Sequence, residues 1–285
     1  MMNVIDETPD FMRFYDMKQV PFTQQIAVDS LYQSALFKDV LGRLRFAVSQ
    51  NKFTVLTGPV GSGKSTVLRA FNDSLDHDVF RVLYISESSL TPRWLYSVPL
   101  TELEIKPRFY TNDCKRQFHE YLLKETKVNH KRVVLIIDEA HLMNQYHCLQ
   151  TLEEIRFLLN TDYDSHNPLT LILCGQDELW GLLSKDKSRA ITQRIDVIAK
   201  LAPMDVPDIS RYINAHLRYC ETSSDVMSAE AVEAIAVASG GIPRIINKIC
   251  THALIYGASK AMKIINADVI QHVVETELPQ AVMRF

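Results

Sequence analysis

Short, continuously apolar runs recur through the middle of the chain: Phe53-Thr54-Val55-Leu56, Val79 to Ile85, Val133 to Ile137 and Leu169 to Cys174. Longer stretches of helical spacing separate them, and Val197 to Leu201 is a fifth candidate of the same kind. A strand with one wet face alternates apolar and polar residues. These runs do not, so they predict strands buried on both faces of a parallel sheet, with helices packed above and below. Ahead of them, residues 1–50 read as an extended lead-in to Pro21-Phe22, followed by an amphipathic helix through Leu36, Val40, Leu44 and Ala47. After Pro203 every segment has helical spacing: Ile209, Tyr212, Ile213 and Leu217; Ala231, Ile235 and Ala236; a helix opening near Pro243 through Ile246, Ile249, Ala253 and Ile255; and Ala267, Ile270 and Val274 behind an Asn266 N-cap. The pattern divides the chain into a lead-in with its first helix (1–50), an α/β domain with a five-stranded parallel sheet between helices (51–203), and a small helical lid (204–285). The tail from Glu275, with Leu278, Val282 and Phe285, either packs on the lid or serves as a partner-binding peptide.

Composition narrows the class only slightly. The chain has 285 residues, 47% hydrophobic and 23% charged, which excludes a disordered protein. Its formal net charge of -3 means that any nucleic-acid binding has to come from a local basic surface. The five cysteines, Cys114, Cys148, Cys174, Cys220 and Cys250, show no zinc-like spacing and are expected as free thiols. No apolar run approaches the roughly 20 residues of a membrane span. The residues from Met1 to Glu7 lack a basic and apolar leader, so the expectation is a soluble, cytoplasmic protein.

The chemistry sits at the ends of the apolar runs. Gly58-Pro59-Val60-Gly61-Ser62-Gly63-Lys64-Ser65-Thr66 follows the first strand and opens a helix through Val67 to Phe71, the form of a phosphate-binding P-loop. Glycines let successive N–H groups turn inward on phosphate oxygens at a positive helix N-terminus. Lys64 then supplies a charge to the β and γ oxygens, and Ser65 a hydroxyl to Mg²⁺. Arg132 to Asp138 is an apolar strand ending in the carboxylates Asp138-Glu139, followed by Ala140-His141. This Walker B arrangement assigns Asp138 to Mg²⁺ and Glu139 to the attacking water. Gln176, after the strand ending at Cys174, is either a sensor of the γ-phosphate or an ordinary polar residue after a strand. Arg194, with Arg189 as the other choice, is the candidate arginine finger for a neighbouring subunit's nucleotide, against a plain surface arginine. Arg244, just after Pro243 in Gly240-Gly241-Ile242-Pro243-Arg244, is the candidate second sensor reaching back from the lid.

The P-loop, the Asp-Glu strand end, the polar strand end and Gly-x-Pro-Arg in a helical lid together resemble the AAA+ ATPases. The Pro21-Phe22 lead-in, Gly175-Gln176-Asp177-Glu178-Leu179, Gln193-Arg194-Ile195 and Gly241 to Cys250 are similar to the ExeA-like group. The resemblance implies ATP and Mg²⁺ as cofactors, a site completed between subunits of an ATP-dependent hexameric ring or filament, and an adenine side at Val20, Pro21 and Phe22, a core turn being the alternative. Within this group, a chain without a membrane segment or cell-wall-binding portion fits the transposition helpers of the TnsC, IstB and MuB kind. These bind duplex DNA without sequence preference and recruit a transposase; an ExeA-type secretion ATPase and a helicase-loader ATPase are the alternatives. For DNA, the stretch Lys106 to His119 offers Arg108, Tyr110, Thr111, Lys115 and Arg116 as contacts. The same stretch also reads as a solvated helix start, capped by Asn112 or Asp113, with Phe118, Tyr121 and Leu122 facing the core.

Overall fold

The computed structural model describes residues 10–23, 25–87, 89–143, 147–159 and 169–279. Two compact units form, one within residues 35–59 and 64–201, the other within residues 1–34, 60–63 and 202–285.

The first unit is built on five parallel strands, β1 (Phe53–Thr57), β2 (Phe80–Ser86), β3 (Arg132–Asp138), β4 (Leu169–Gly175) and β5 (Val197–Lys200), in the order β2-β3-β4-β1-β5. The central strands are the most continuously apolar ones, β1 and β4 being buried at every residue and β3 from Val133 onward. The edge strands β2 and β5 expose alternate residues. All five strands fall within a residue or so of the runs expected from sequence. Phe53, Leu83, Leu135, Leu171 and Leu173 are among the strand residues of a large core. The rest comes from helices that include α4 (Pro92–Glu102), α5 (Thr111–Leu123), α6 (Cys148–Leu158) and α7 (Glu178–Leu183).

The second unit is helical. The segments expected after Pro203 form α9 (Val206–Tyr219), α10 (Ala229–Ser239), α11 (Pro243–Ser259) and α12 (Ala267–His272). Their starts obey capping chemistry: Asp205 accepts from the Asp208 N–H, Ser228 from Ala231 and Asn266 from Val269. Gly241 has φ +76, and a Cβ there would lie 2.2 Å from the Met204 carbonyl oxygen, so the turn into α11 admits no side chain. Leu278 is buried in this unit, which favours packing of the tail, while Val282 and Phe285 lie outside the described residues.

The lead-in and first helix, read together as 1–50, part company. Helix α2 (Ala35–Ser49) packs its apolar face on β1, β5 and α3 (Lys64–Asp73) in the sheet unit. The lead-in helix α1 (Asp10–Phe14) instead packs on α11, where the Tyr15 hydroxyl donates to the Met262 carbonyl at 2.8 Å. All five cysteines are free and buried.

Candidate active site

A parallel sheet gathers its strand-to-helix loops at one edge, and this order sets β3, β4 and β1 side by side. The P-loop leaves the carboxyl end of β1 with Gly61 at φ +77 and Gly63 at φ +96, values that L side chains rarely adopt. A Cβ on Gly61 would also come within 2.7 Å of the Arg244 Cβ, so that glycine is required by packing as well. Lys64 is buried, and its ammonium donates to the carbonyls of Gly58 at 2.8 Å and Pro59 at 2.9 Å. The Ser62 hydroxyl is buried with no protein partner, an orphaned polar atom of the sort a phosphate oxygen satisfies. Ser65 stands exposed at the start of the ten-residue helix α3, and Thr66 is half-buried.

At the end of β3 the two carboxylates differ in environment. Asp138 is 3% exposed; its Oδ2 accepts the Tyr84 hydroxyl at 2.6 Å and its Oδ1 the Glu139 N–H at 2.8 Å. Burial, reinforced by the Asp138 carboxylate, pushes both the Tyr84 phenol and the neighbouring Cys174 thiol above their ordinary pKa values. Glu139 has φ +51 and a side chain 41% exposed, so the carboxylate expected to meet water is the accessible one. Beyond it, the imidazole of His141 lies buried, its Nδ1 accepting the Gln176 N–H at 3.3 Å and standing 3.5 Å from Glu139 Oε2. Gln176 is half-buried directly after β4. Lys64, Asp138, Glu139 and Gln176 are thus gathered at the ends of adjacent strands.

The donor set fits a triphosphate with one divalent cation. The loop offers two glycines in the left-handed region, a buried cation and an unmet hydroxyl, and the Asp138 carboxylate keeps lone pairs beyond its hydrogen bonds from Tyr84 and Glu139. No cluster of three or more His, Cys, Asp or Glu able to hold a metal by itself exists among the described residues.

The remaining expected site residues are carried by other elements. Arg194 is half-buried between α8 (Arg189–Thr192) and the edge strand β5; the nearby Asp196 is engaged by the Lys52 ammonium and the Phe53 N–H, each at 3.0 Å. Arg189 is exposed and lines a depression of about 350 Å³ with Lys185, Asp186 and Gln193. In the helical unit, Arg244 is exposed and its N–H donates to the Gly61 carbonyl at 3.2 Å. Pro21 and Phe22 are buried, and the Phe22 ring stacks on His216 at 5.0 Å.

The basic stretch divides. Arg108 and Tyr110 are exposed, and Thr111 opens α5 with Tyr110, not Asn112 or Asp113, at the N-cap. The Lys115 ammonium is held by Glu154 at 2.6 Å and lies over the Phe157 ring, an ion pair between α5 and α6. Arg116 pairs with Asp113 at 2.5 Å.

Sequence reasoning missed Tyr84 and His141. Tyr84 reaches Asp138 only through the β2–β3 register, which no local pattern encodes. His141 was within sight in Asp138-Glu139-Ala140-His141, a histidine one short turn beyond the strand-end carboxylate pair.

Sheet order, P-loop and strand-end carboxylates define an α/β AAA+ fold. Residues 47–183 match the family described as an AAA domain. The chain is also similar to General secretion pathway protein A of Aeromonas hydrophila, at 29% identity over 266 residues, which is 91% of this chain and 47% of that protein. It therefore spans about half the length of the curated relative it matches. Among solved structures it resembles Drosophila ORC bound to DNA (TM-score 0.65, 15% identity, 96% of this chain and 68% of that one). It also resembles the Aeropyrum pernix ORC2 protein in its ADPNP-ADP complexes (0.62, 13%, 93% and 71%). A third is the Thermotoga maritima RuvB Holliday junction branch migration motor (0.53, 18%, 86% and 69%). At those identities the likeness is one of fold. No helix among the described residues is long and apolar enough to cross a membrane.

Proposed function

We propose that this chain is an ExeA-like AAA+ ATPase that binds ATP with Mg²⁺ and hydrolyses it to ADP and phosphate. The observation that carries the reading is the meeting of Lys64 on the P-loop helix with a buried Asp138 and an accessible Glu139 at neighbouring strand ends. Lys64 exchanges its two loop carbonyls for phosphate oxygens, and Ser65 and Asp138 hold the cation. Held by Ser65 and Asp138, Mg²⁺ would supply positive charge that offsets the charge of the phosphate oxygens. Glu139 takes the proton of the attacking water as its oxygen bonds to the γ-phosphorus and the bond to the β–γ bridging oxygen breaks, releasing ADP. Gln176 reads the γ-phosphate, Arg244 acts as second sensor, and Arg194 completes a neighbouring subunit's site, so turnover depends on an ATP-dependent ring or filament.

The similarity to General secretion pathway protein A over 91% of the chain supports a secretion-associated assembly as the biological setting. These comparisons add no support for the transposition-helper branch. What still favours DNA as a second reading is the exposed turn with Arg108, Phe109 (82% exposed) and Tyr110 (69%) ahead of α5. On that reading the oligomer binds duplex DNA without sequence preference and engages a transposase.

Paired variants test the chemistry. Glu139→Gln keeps nucleotide binding and loses turnover, whereas Lys64→Ala loses both; normal turnover in Glu139→Gln removes it from the base role. Fluorescence anisotropy with duplex DNA, with and without a non-hydrolysable ATP analogue, separates the settings. ATP-dependent binding at moderate salt favours the DNA reading, and its absence favours secretion.

A further inference from the structure

We propose that His141 is a positioning residue that sets the spacing between the general base Glu139 and the γ-phosphate-reading position Gln176. The inference rests on the roles given to those two residues under the ATPase reading. His141 lies on the short 3₁₀ turn Ala140–Leu142, directly past the end of β3, and its imidazole is only 6% exposed. Its Nδ1 accepts the backbone N–H of Gln176 at 3.3 Å, which ties the chain leaving β4 to the chain leaving β3. The ring fills space that Gly175 leaves open: a Cβ there would stand 3.2 Å from the His141 backbone nitrogen and 3.3 Å from Nδ1. The glycine and the imidazole are therefore complementary parts of one joint.

The hydrogen bond also fixes the tautomer. A nitrogen that accepts from Gln176 carries no proton, so the neutral ring has its proton on Nε2. Glu139 Oε2 lies 3.5 Å from that same Nδ1 and faces a lone pair, not a donor. His141 thus steadies the backbone at 176 while leaving the glutamate untethered and available to water. With Nδ1 protonated the opposite would hold: Glu139 would be tied down and the Gln176 N–H left without its acceptor.

The test compares three variants with the wild type and with Glu139→Gln. His141→Phe keeps a ring but removes the acceptor; we expect nucleotide affinity within about twofold and kcat lowered by on the order of ten- to a hundredfold, the range seen when partners that orient catalytic groups are removed. His141→Asn places an amide oxygen near the Nδ1 position and should recover most of that loss. Gly175→Ala, which pushes the ring without changing its chemistry, should lower kcat like His141→Phe. In ¹⁵N spectra of the wild type, the signal missing from His141→Asn should be that of a neutral imidazole with an unprotonated Nδ1. Wild-type kcat in His141→Phe, no recovery in His141→Asn, or a protonated Nδ1 overturns the proposal. If Glu139→Gln itself turns over ATP normally, the underlying ATPase assignment fails instead.

Discussion

Acidification should loosen the helical unit through one residue, His216. It is 3% exposed on α9, where its Nδ1 accepts the Phe22 N–H at 3.2 Å and its ring lies against Phe22 and Tyr212. A proton on Nδ1 would set donor against donor inside that packing, and burial pushes the pKa down from 6.5 to about 4. The unfolded chain takes up this proton near the ordinary value and the folded chain only near the lowered one. Stability from the neutral ring is therefore complete above pH 6.5, lost as the pH falls toward 4, and level below that. The whole displacement is worth about 3 kcal/mol, of which roughly 2 kcal/mol is gone by pH 4.5. Urea unfolding by far-UV circular dichroism at pH 7, 6, 5 and 4.5, on wild type and His216→Gln, measures it, with hydrogen exchange of α9 peptides locating the change. His119, whose pKa is also lowered by burial, is common to both proteins and cancels in the comparison. If the two lose stability in parallel, the argument from His216 is wrong.

Other outcomes follow from single contacts. Tyr84→Phe removes the 2.6 Å hydrogen bond to Asp138; it should cost about 1 kcal/mol of stability and raise half-saturating Mg²⁺ in the ATPase assay by on the order of tenfold. An unchanged Mg²⁺ dependence would detach Tyr84 from the site. Gly241→Ala meets both a left-handed φ and the Met204 carbonyl, so the helical unit should lose at least about 2 kcal/mol in chemical denaturation. Leu135→Ala, at a fully buried position in the middle of β3, should destabilise the sheet unit by roughly 2–5 kcal/mol; a loss under about 1 kcal/mol would contradict the packed core described above.

The parallel sheet was legible because burial on both faces leaves a mark on every residue of β1 and β4 and on β3 from Val133, and the helices after Pro203 because their apolar residues recur at helical spacing, with Asn266 marking one start. What an apolar stripe does not carry is the identity of the surface it will meet. That is why α2 and the lead-in looked like one segment, and why Phe22 looked available although its ring is stacked on His216. The partner of Lys115 was hidden for a related reason: its counter-charge, Glu154, lies 39 residues away on another helix. The P-loop and Asp138-Glu139 were readable as local strings, whereas Tyr84 and His141 joined them only through strand register and a neighbouring glycine.

The five buried cysteines offer a built-in clock. Burial pushes every one of their thiols above the ordinary value, so little thiolate exists at neutral pH to react with an alkylating reagent. Cys114, Cys148 and Cys174 belong to the sheet unit and Cys220 and Cys250 to the helical unit. The alkylation rate of each cysteine-bearing peptide therefore times the opening of its own unit, and the two can be followed side by side in one unmodified protein as nucleotide is added.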